Sequence, residues 1–400
     1  MSPAPTKQKV KTTRPSGRKL RVAGLFAGIG GIELGLHQSG HTTELLCEID
    51  PGAIAVLERG FSGVPLHQDV STLRSLPTVD MIAAGFPCQD ISLAGTRAGL
   101  DGSRSGLISE VFRLTEQSRP EFLMLENVQH LLRLSRGANM RIILDELENL
   151  KYRWAYRVVD TRGFGLPQRR RRVIILASSG DVDPADILFA KSVHADVDDT
   201  IGPLEMGRTY GFYWTEGKRG VGWARDATPT IKGGSGLGIP SPPAIFDTST
   251  GLAGTPTIQD AERLQGFEAD WTDVTLEDRG IRPGHRWKMV GNAVSVPLAE
   301  WIGEELAHPS GSFDRHAIAP MDISRALPPA AFGDGTARYV VATSMHVRCS
   351  SHVPVAQFLN DPLKPLSLRA LNGYILRART GTKKFPDGFI DALETQAASS

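Results

Sequence analysis

Short apolar runs alternate with stretches of helical period through the first 180 residues. The run at 20–25 breaks into Gly28, Gly30 and Gly31, and a helical pattern follows from Ile32. Leu45 and Leu46 lead into Glu48, and a helix is expected to begin near Pro51, since proline is tolerated in a first turn. A further buried run at 81–84 ends in Gly85. Then come a helix over 106–118, a strand over 122–125, a helix around 140–150, and strands near 156–159 and 173–177. Strands alternating with helices predict a mostly parallel sheet covered on both faces, an α/β Rossmann-like class. Ligands gather at the carboxyl ends of strands in such sheets. The unusual residues fall there: glycines after the first strand, Glu48 after the second, Cys88 after a later one and Glu126 directly after another.

Past residue 178 the pattern changes. Residues 180–260 are rich in Gly, Pro, Thr and Ser without helical period, and predict a smaller, loop-rich domain. An amphipathic helix returns at 294–306, and Leu368, Leu371, Ile375 and Ala378 recur at helical spacing further on. The expected organisation is a disordered basic arm at 1–19, a catalytic and cofactor domain at 20–179, a second domain at 180–282, a return to the first at 283–308, and an extension of unassigned role at 309–400. That extension is read as a packed accessory helix with a solvated basic face (Arg377, Arg379, Lys383, Lys384), ahead of contact with DNA or a partner.

Composition narrows the class only slightly. Forty per cent hydrophobic and 22% charged residues suit an ordinary globular core, and a net charge of +1 argues neither for nor against nucleic acid. Cys47, Cys88 and Cys349 are an odd, widely spaced set, neither a disulfide framework nor a zinc motif, so no metal is expected. No apolar run approaches the ~20 residues of a membrane span. A soluble cytoplasmic protein is expected, with no membrane partner.

Candidate chemistry begins at Phe26-Ala27-Gly28-Ile29-Gly30-Gly31, where closely set glycines between strand and helix let backbone amides approach a ligand. A plain tight turn explains such a segment equally well. Glu48, about 20 residues on, is placed to accept hydrogen bonds from ribose hydroxyls, and Asp69 is placed to read an adenine amino group. Taken singly each acid is most simply a solvated one; together with the glycines they mark a nucleoside-binding edge.

In Gly85-Phe86-Pro87-Cys88-Gln89-Asp90, the cysteine follows proline at a strand end and opens a stretch with Gly95, Gly99, Gly102 and Gly106, spaced like a lid. An exposed thiolate there is a competent nucleophile, although a lone cysteine is more often a small buried hydrophobe. Glu126-Asn127-Val128 supplies an acid able to hydrogen-bond a base ring nitrogen and act as general acid, with helix capping as the plain alternative. Gln168-Arg169-Arg170-Arg171-Arg172 precedes a strand. Alternation sends Arg170 and Arg172 to one face and Arg169 and Arg171 to the other; a run of four arginines is usually a solvated or phosphate-facing patch, and two aimed into a cleft beside Glu126 and Cys88 would instead orient the base.

These segments, with Arg-Leu-Gln-Gly-Phe (263–267) and Gly-Asn-Ala-Val-Ser-Val-Pro (291–297), resemble the bacterial C5-cytosine DNA methyltransferases over residues 20–307. The resemblance implies S-adenosylmethionine as methyl donor and double-stranded DNA as partner, with the target cytosine flipped into a pocket. It implies Cys88 as nucleophile on carbon 6 and Glu126 as acid, with Arg170 and Arg172 holding the base. Phe26, Gly28, Gly30, Glu48, Asp69, Leu107 and Asn292 would line the cofactor site, and Pro87, Asn127 and Gln168 the substrate pocket. Residues 180–282 take the target-recognition position. A monomer paired with a cognate restriction or phage-defence system, associated with the bacterial nucleoid, completes the expectation. An RNA cytosine methyltransferase, a catalytically silent DNA-binding regulator and a dehydrogenase stand as alternatives. The first would carry a Cys-Phe-Thr signature, which is missing. The second would be expected to lose Cys88 or Glu126, and the third leaves Pro87-Cys88 unexplained.

Overall fold

The computed structural model describes residues 17–87, 106–196, 199–217, 222–234, 240–275, 280–282, 284–322 and 324–399. Cys88, the glycines at 95, 99 and 102 and most of the basic arm lie outside the described residues.

The first half alternates as its apolar pattern requires. β1 (Arg21–Leu25) leads to α1 (Gly31–Gln38), and β2 (Thr42–Cys47) to α2 (Pro51–Gly60). The carboxyl of Asp50 caps α2 by accepting from the amides of Gly52 and Ala53 at 3.0 and 3.2 Å, and Pro51 occupies the first turn. β3 (Leu66–His67), β4 (Met81–Gly85), α3 (Leu107–Ser118), β5 (Phe122–Val128), α4 (Ala138–Asn149), β6 (Arg153–Asp160), β7 (Gln168–Arg169) and β8 (Arg171–Ser178) follow.

The second half carries α5 (Pro184–Phe189), β9 (Thr209–Phe212), β10 (Trp223–Arg225), β11 (Thr228–Pro229), β12 (Ala244–Asp247) and β13 (Leu252–Thr255). Next come α6 (Ile258–Arg263), α7 (His285–Asn292), α8 (Val296–Ala307), β14 (Ile318–Pro320), β15 (Ala330–Gly333) and β16 (Arg338–Val341). The chain closes with α9 (Val355–Phe358), β17 (Lys364–Pro365), α10 (Leu368–Thr380) and α11 (Phe389–Ser399).

The large sheet has the order β14-β16-β15-β6-β8-β5-β4-β1-β2-β3. β3, β2, β1, β4 and β5 pair in parallel, while β8 and everything beyond it pair antiparallel. Only β8, β14 and β15 therefore run against the common direction, and the class is Rossmann-like α/β as the alternation implied. Side-chain alternation puts Ile82, Leu123, Leu125 and Ile175 against α3 and α4. Val22, Met81, Met124 and Ile174 face α1, α5 and α8 on the other side. α1 and α8 come close because Gly31 and Gly35, one turn apart, carry no Cβ. One at Gly31 would stand 2.1 Å from the carbonyl oxygen of Val294, and one at Gly35 2.4 Å from that of Val296.

The segment at 309–400 is not a separate appendage. Its first part adds β15, β16 and β14 to the edge of the large sheet, with Ala330–Gly333 paired to Trp154–Arg157 of β6. Its second part completes another sheet, β10-β9-β12-β13-β17. Tyr210, Phe212 and Phe246 of that sheet bury themselves against Leu371, Tyr374 and Ile375 of α10 and Phe389 and Leu393 of α11. The opposite face of the sheet turns Ile245 toward Ala261, Leu264 and Val290. The region read as loop-rich thus has a regular sheet at its centre. Its strands are only three or four residues long, too short for a period-2 pattern to stand out between turns.

Candidate active site

The cofactor edge is built by a turn whose backbone alternates into the left-handed region. Phe26, Gly28 and Gly30 have φ of 55°, 57° and 82°. A phenylalanine there is uncommon, and such conformations concentrate at functional sites. The turn is tied to the end of β2: the Ala27 amide donates to the carbonyl of Cys47 at 3.1 Å, and the Gly28 amide donates to Glu48 Oε2 at 2.7 Å. The other carboxyl oxygen of Glu48 accepts from the amides of Ile49 and Asp50 at 2.9 and 2.8 Å. Three main-chain donors therefore fix the carboxylate, which keeps lone pairs for a ligand.

A cavity of about 410 Å³ opens over this edge, at the carboxyl ends of β1, β2, β4 and β5. Phe26, Gly28, Glu48, Asp69, Leu107 and Asn292 line it, and so do Pro87, Glu126, Asn127, Arg170 and Arg172. Gly30 and Gln168 do not. A Cβ at Gly30 would strike the Phe61 ring at 2.3 Å, so this glycine starts α1 against a packed aromatic rather than facing a ligand. Gln168 is fully buried; its amide donates to the carbonyl of Leu264 at 2.9 Å and accepts from the Ile231 amide at 2.9 Å, a staple between β7 and the second domain.

The remaining catalytic candidates converge. Glu126, 7% exposed, pairs with Arg172 Nε at 2.8 Å. Asn127 donates from its side-chain amide to the carbonyl of Phe86 at 2.9 Å and accepts from the Val128 amide, which holds the backbone just ahead of Pro87 and Cys88. Arg170 reaches the cavity wall, but its guanidinium is already engaged. It donates to the carbonyls of Ile231 and Gly291 at 3.1 Å each and of Ala293 at 2.6 Å. Those three carbonyls belong to the connection after β11 and to the end of α7, so Arg170 ties both segments to the cavity wall. Burial pulls the Arg170 guanidinium well below its ordinary pKa, and the neighbouring Arg172 adds to this.

Sequence reasoning passed over three residues at the cavity. Cys47 precedes Glu48, and burial with the nearby Glu48 and Asp69 pushes its thiol up to about 12, so it stays protonated and unreactive. Lys288 lies one helical turn before Asn292 on α7, a spacing that points to it once Asn292 is chosen. It donates to Asp50 at 2.8 Å, as does His285 Nε2, and the two clasp α7 to the start of α2. Burial alone would raise the Asp50 carboxyl; hydrogen bonds from Lys288 and His285 bring it down to about 2.

The residues fit S-adenosylmethionine. Acids at 48 and 69 match ribose hydroxyls and an amino-bearing base. A Cβ at Gly28 would project into open space, so bare backbone faces the cavity. Asp69 commits Oδ1 to the Ser71 amide and hydroxyl at 2.9 and 2.7 Å, which leaves Oδ2 without a partner among the described residues.

Beside the cavity, sharing Val128, Arg172, Gly291 and Asn292 with it, runs a more open groove of about 590 Å³. Arg169, Arg171, Lys232, His130 and Tyr213 line it; Arg169 and Arg171 stay out of the cavity and Arg170 out of the groove, while Arg172 borders both. Asp160 and Asp199 hold the groove arginines: Arg171 stands 3.2 and 3.4 Å from them, and Arg169 3.8 Å from Asp199. The Lys232 ammonium lies 4.1 Å from the centre of the Tyr213 ring and 3.1 Å from Glu216.

Residues 20–203 match the family model described as C-5 cytosine-specific DNA methylase. The Type II methyltransferase M2.BsuMI of Bacillus subtilis (strain 168) is 50% identical over 385 residues, 94% of this chain and 97% of that protein. The chain belongs to the C-5 cytosine-specific DNA methylases. M.BsuFI of Bacillus subtilis, another Type II methyltransferase, is 38% identical to the methylase over 177 residues, 44% of this chain and 43% of its own. The S. pombe Dnmt2 methyltransferase structure shares the fold at TM-score 0.50 and 16% identity, over 72% of this chain and 99% of that one. The matched family segment contains β1 to β8 and so most of the cavity wall. As a member of this family the methylase is an enzyme that methylates carbon 5 of cytosine in DNA.

Proposed function

We propose that the methylase acts on a defined duplex sequence as the modification partner of a restriction system, with Cys88 as nucleophile and S-adenosylmethionine as donor. One observation carries the catalytic assignment: Glu126, Asn127, Arg172 and Pro87 share a single cavity with Glu48 and Asp69, so an acid, a base-binding wall and a nucleoside edge meet within one ligand's length. Glu48, Asp69, Phe26, Gly28, Leu107 and Asn292 would hold the cofactor. When bound, it supplies the electrophilic methyl group that carbon 5 accepts.

The chain's own part is to raise the electron density of that carbon. The Cys88 thiolate adds to carbon 6 of a flipped cytosine, and the electrons of the carbon 5–carbon 6 bond become available at carbon 5. Glu126, held by Arg172, meets ring nitrogen 3 and supplies the hydrogen bond that takes up negative charge on the ring. After methylation, loss of the carbon 5 proton lets the carbon 6–sulfur bond break and returns the thiolate. Asn127 sets the approach of Cys88 through the Phe86 carbonyl. Arg170 keeps α7 and the second domain in register with the cavity.

The test is transfer of labelled methyl from S-adenosylmethionine to duplex DNA, with positions mapped by bisulfite sequencing of a plasmid from cells carrying the gene. Label at carbon 5 within one recurring sequence is expected, and Cys88→Ser is expected to abolish it. Undiminished transfer by that variant would overturn the nucleophile assignment, and methylation without sequence preference would overturn the restriction reading.

A further inference from the structure

The C-terminal helix pair lies beyond the matched family segment, yet it reaches the loops that flank the basic groove. The segment after β9 begins at Tyr213, a groove residue, and continues through Trp214, Thr215 and Glu216. Beside it lie Lys232, just after β11, and Ser241 and Pro242, just before β12. These are joined to it laterally by an indole N–H of Trp214 donated to the carbonyl of Pro242 at 2.9 Å, by a hydroxyl pair between Thr215 and Ser241, and by Lys232 with Glu216. α10 fastens this group from behind. Arg377 donates from Nη2 to the carbonyl of Trp214, and the Trp214 ring packs on the core formed with α10 and α11. At the base of the same hairpin, Trp223 Nε1 donates to the carbonyl of Lys384 at 3.1 Å.

We propose that Arg377 is a positioning residue for sequence recognition: by gripping the Trp214 carbonyl it fixes these residues beside the groove, and with them the register in which Tyr213 and Lys232 meet DNA. The basic residues on α10 were open to a reading as a solvated face, but Arg377 points inward, with its Nε buried. One donor on one carbonyl at a loop root is the kind of contact that sets geometry without taking part in the reaction. A small displacement there alters contacts to base edges more than the chemistry of the cavity, since discrimination between base pairs depends on close placement of the reading side chains.

This inference rests on the proposed sequence-specific activity. Its test uses the full chain and the site mapped for the wild-type enzyme. Arg377→Ala is compared with wild type on duplexes carrying that site and on duplexes with one base pair changed, reading kcat/KM for each, cofactor Kd and thermal melting. Discrimination against the single-pair variants is expected to fall about tenfold, with cofactor Kd unchanged and Arg377→Lys partly restoring it. Wild-type discrimination in a folded Arg377→Ala protein would overturn the proposal. Should that variant fail to fold, Arg377→Met, which keeps an unbranched stem and removes the donor to the Trp214 carbonyl, is read in its place, and unchanged discrimination there overturns the proposal equally. A wild-type enzyme that methylates no defined site would instead defeat the underlying functional reading and leave nothing for Arg377 to position.

Discussion

The cavity and the groove lie side by side and are held in different ways. In the cavity, three functional side chains are fixed by the main chain, Glu48 by three amides, Asn127 by a carbonyl and an amide, and Arg170 by three carbonyls, while Glu126 is held by the buried Arg172. In the groove, Arg169 and Arg171 are held by the carboxylates of Asp160 and Asp199. Main-chain partners are part of the fold and barely respond to salt, whereas partly exposed ion pairs are screened and exchange partners readily. Cavity geometry is thus largely built into the fold, and the surface beside it stays electrostatically adjustable.

The sharpest way to break this contrast is at Glu126. Glu126→Gln keeps shape and removes the acid, so kcat is expected to fall about 10²–10⁴-fold with little change in cofactor Kd, measured by single-turnover transfer. An equal loss in cofactor affinity would mean the acid serves binding.

Beneath the cavity, Glu33 on α1 is 1% exposed, and neither carboxyl oxygen finds a partner side chain among the described residues. It fits only because Gly24 has no Cβ, which would come within 2.1 Å of Oε1. Burial raises its carboxyl to about 8, with Glu48 adding to the effect. Its folded value lies above its unfolded one, so the stability it contributes is full below the ordinary glutamate range and is lost as pH rises through about 8. Glu33→Gln should remove this slope, making the variant more stable relative to wild type by roughly 4 kcal/mol at alkaline pH in urea melts. Parallel stability curves for the two proteins would refute it.

Gly30→Ala tests the floor of the cofactor turn. The left-handed backbone and the Phe61 contact predict a loss of about 1–3 kcal/mol, read as a lower urea midpoint with catalysis retained. The smallest effect is expected in the groove. Asp199→Asn removes the carboxylate beside Arg169 and one of the two beside Arg171, so DNA should bind a few-fold more tightly with a steeper salt dependence if these arginines meet phosphate. A weaker, salt-insensitive complex would place the DNA elsewhere.

The cavity was legible in the sequence because each of its elements is local. A strand end followed by Gly28, Glu48 or Glu126 can be read within a dozen residues, and the sheet brings these ends together by topology alone. Gly30, Gln168 and Arg170 show where that reading stops. Gly30 and Gln168 stay out of the cavity and Arg170 lines its wall, but their partners, Phe61, Leu264 and Gly291, are 31, 96 and 121 positions away. Nothing local separates a glycine that faces a ligand from one that faces an aromatic ring. The role of 309–400 was hidden for the same reason. The helical spacing of Leu371, Ile375 and Ala378 announced a buried face, but not that the face belonged to the sheet begun at Thr209.

That interleaving has a consequence for how the molecule comes into being. The second sheet gains its outer helices only from residues 368–399, and the edge of the large sheet gains β14 to β16 only after residue 318. During synthesis the cavity's residues emerge long before the surfaces that would aim it at DNA are complete. A premature stop between codons 371 and 393 would strip Leu393, and with it Phe389 or Leu371 the earlier it falls, from Tyr210 and Phe246. Completion of the second sheet is therefore a late step in synthesis, after the strands that carry the cavity have already emerged.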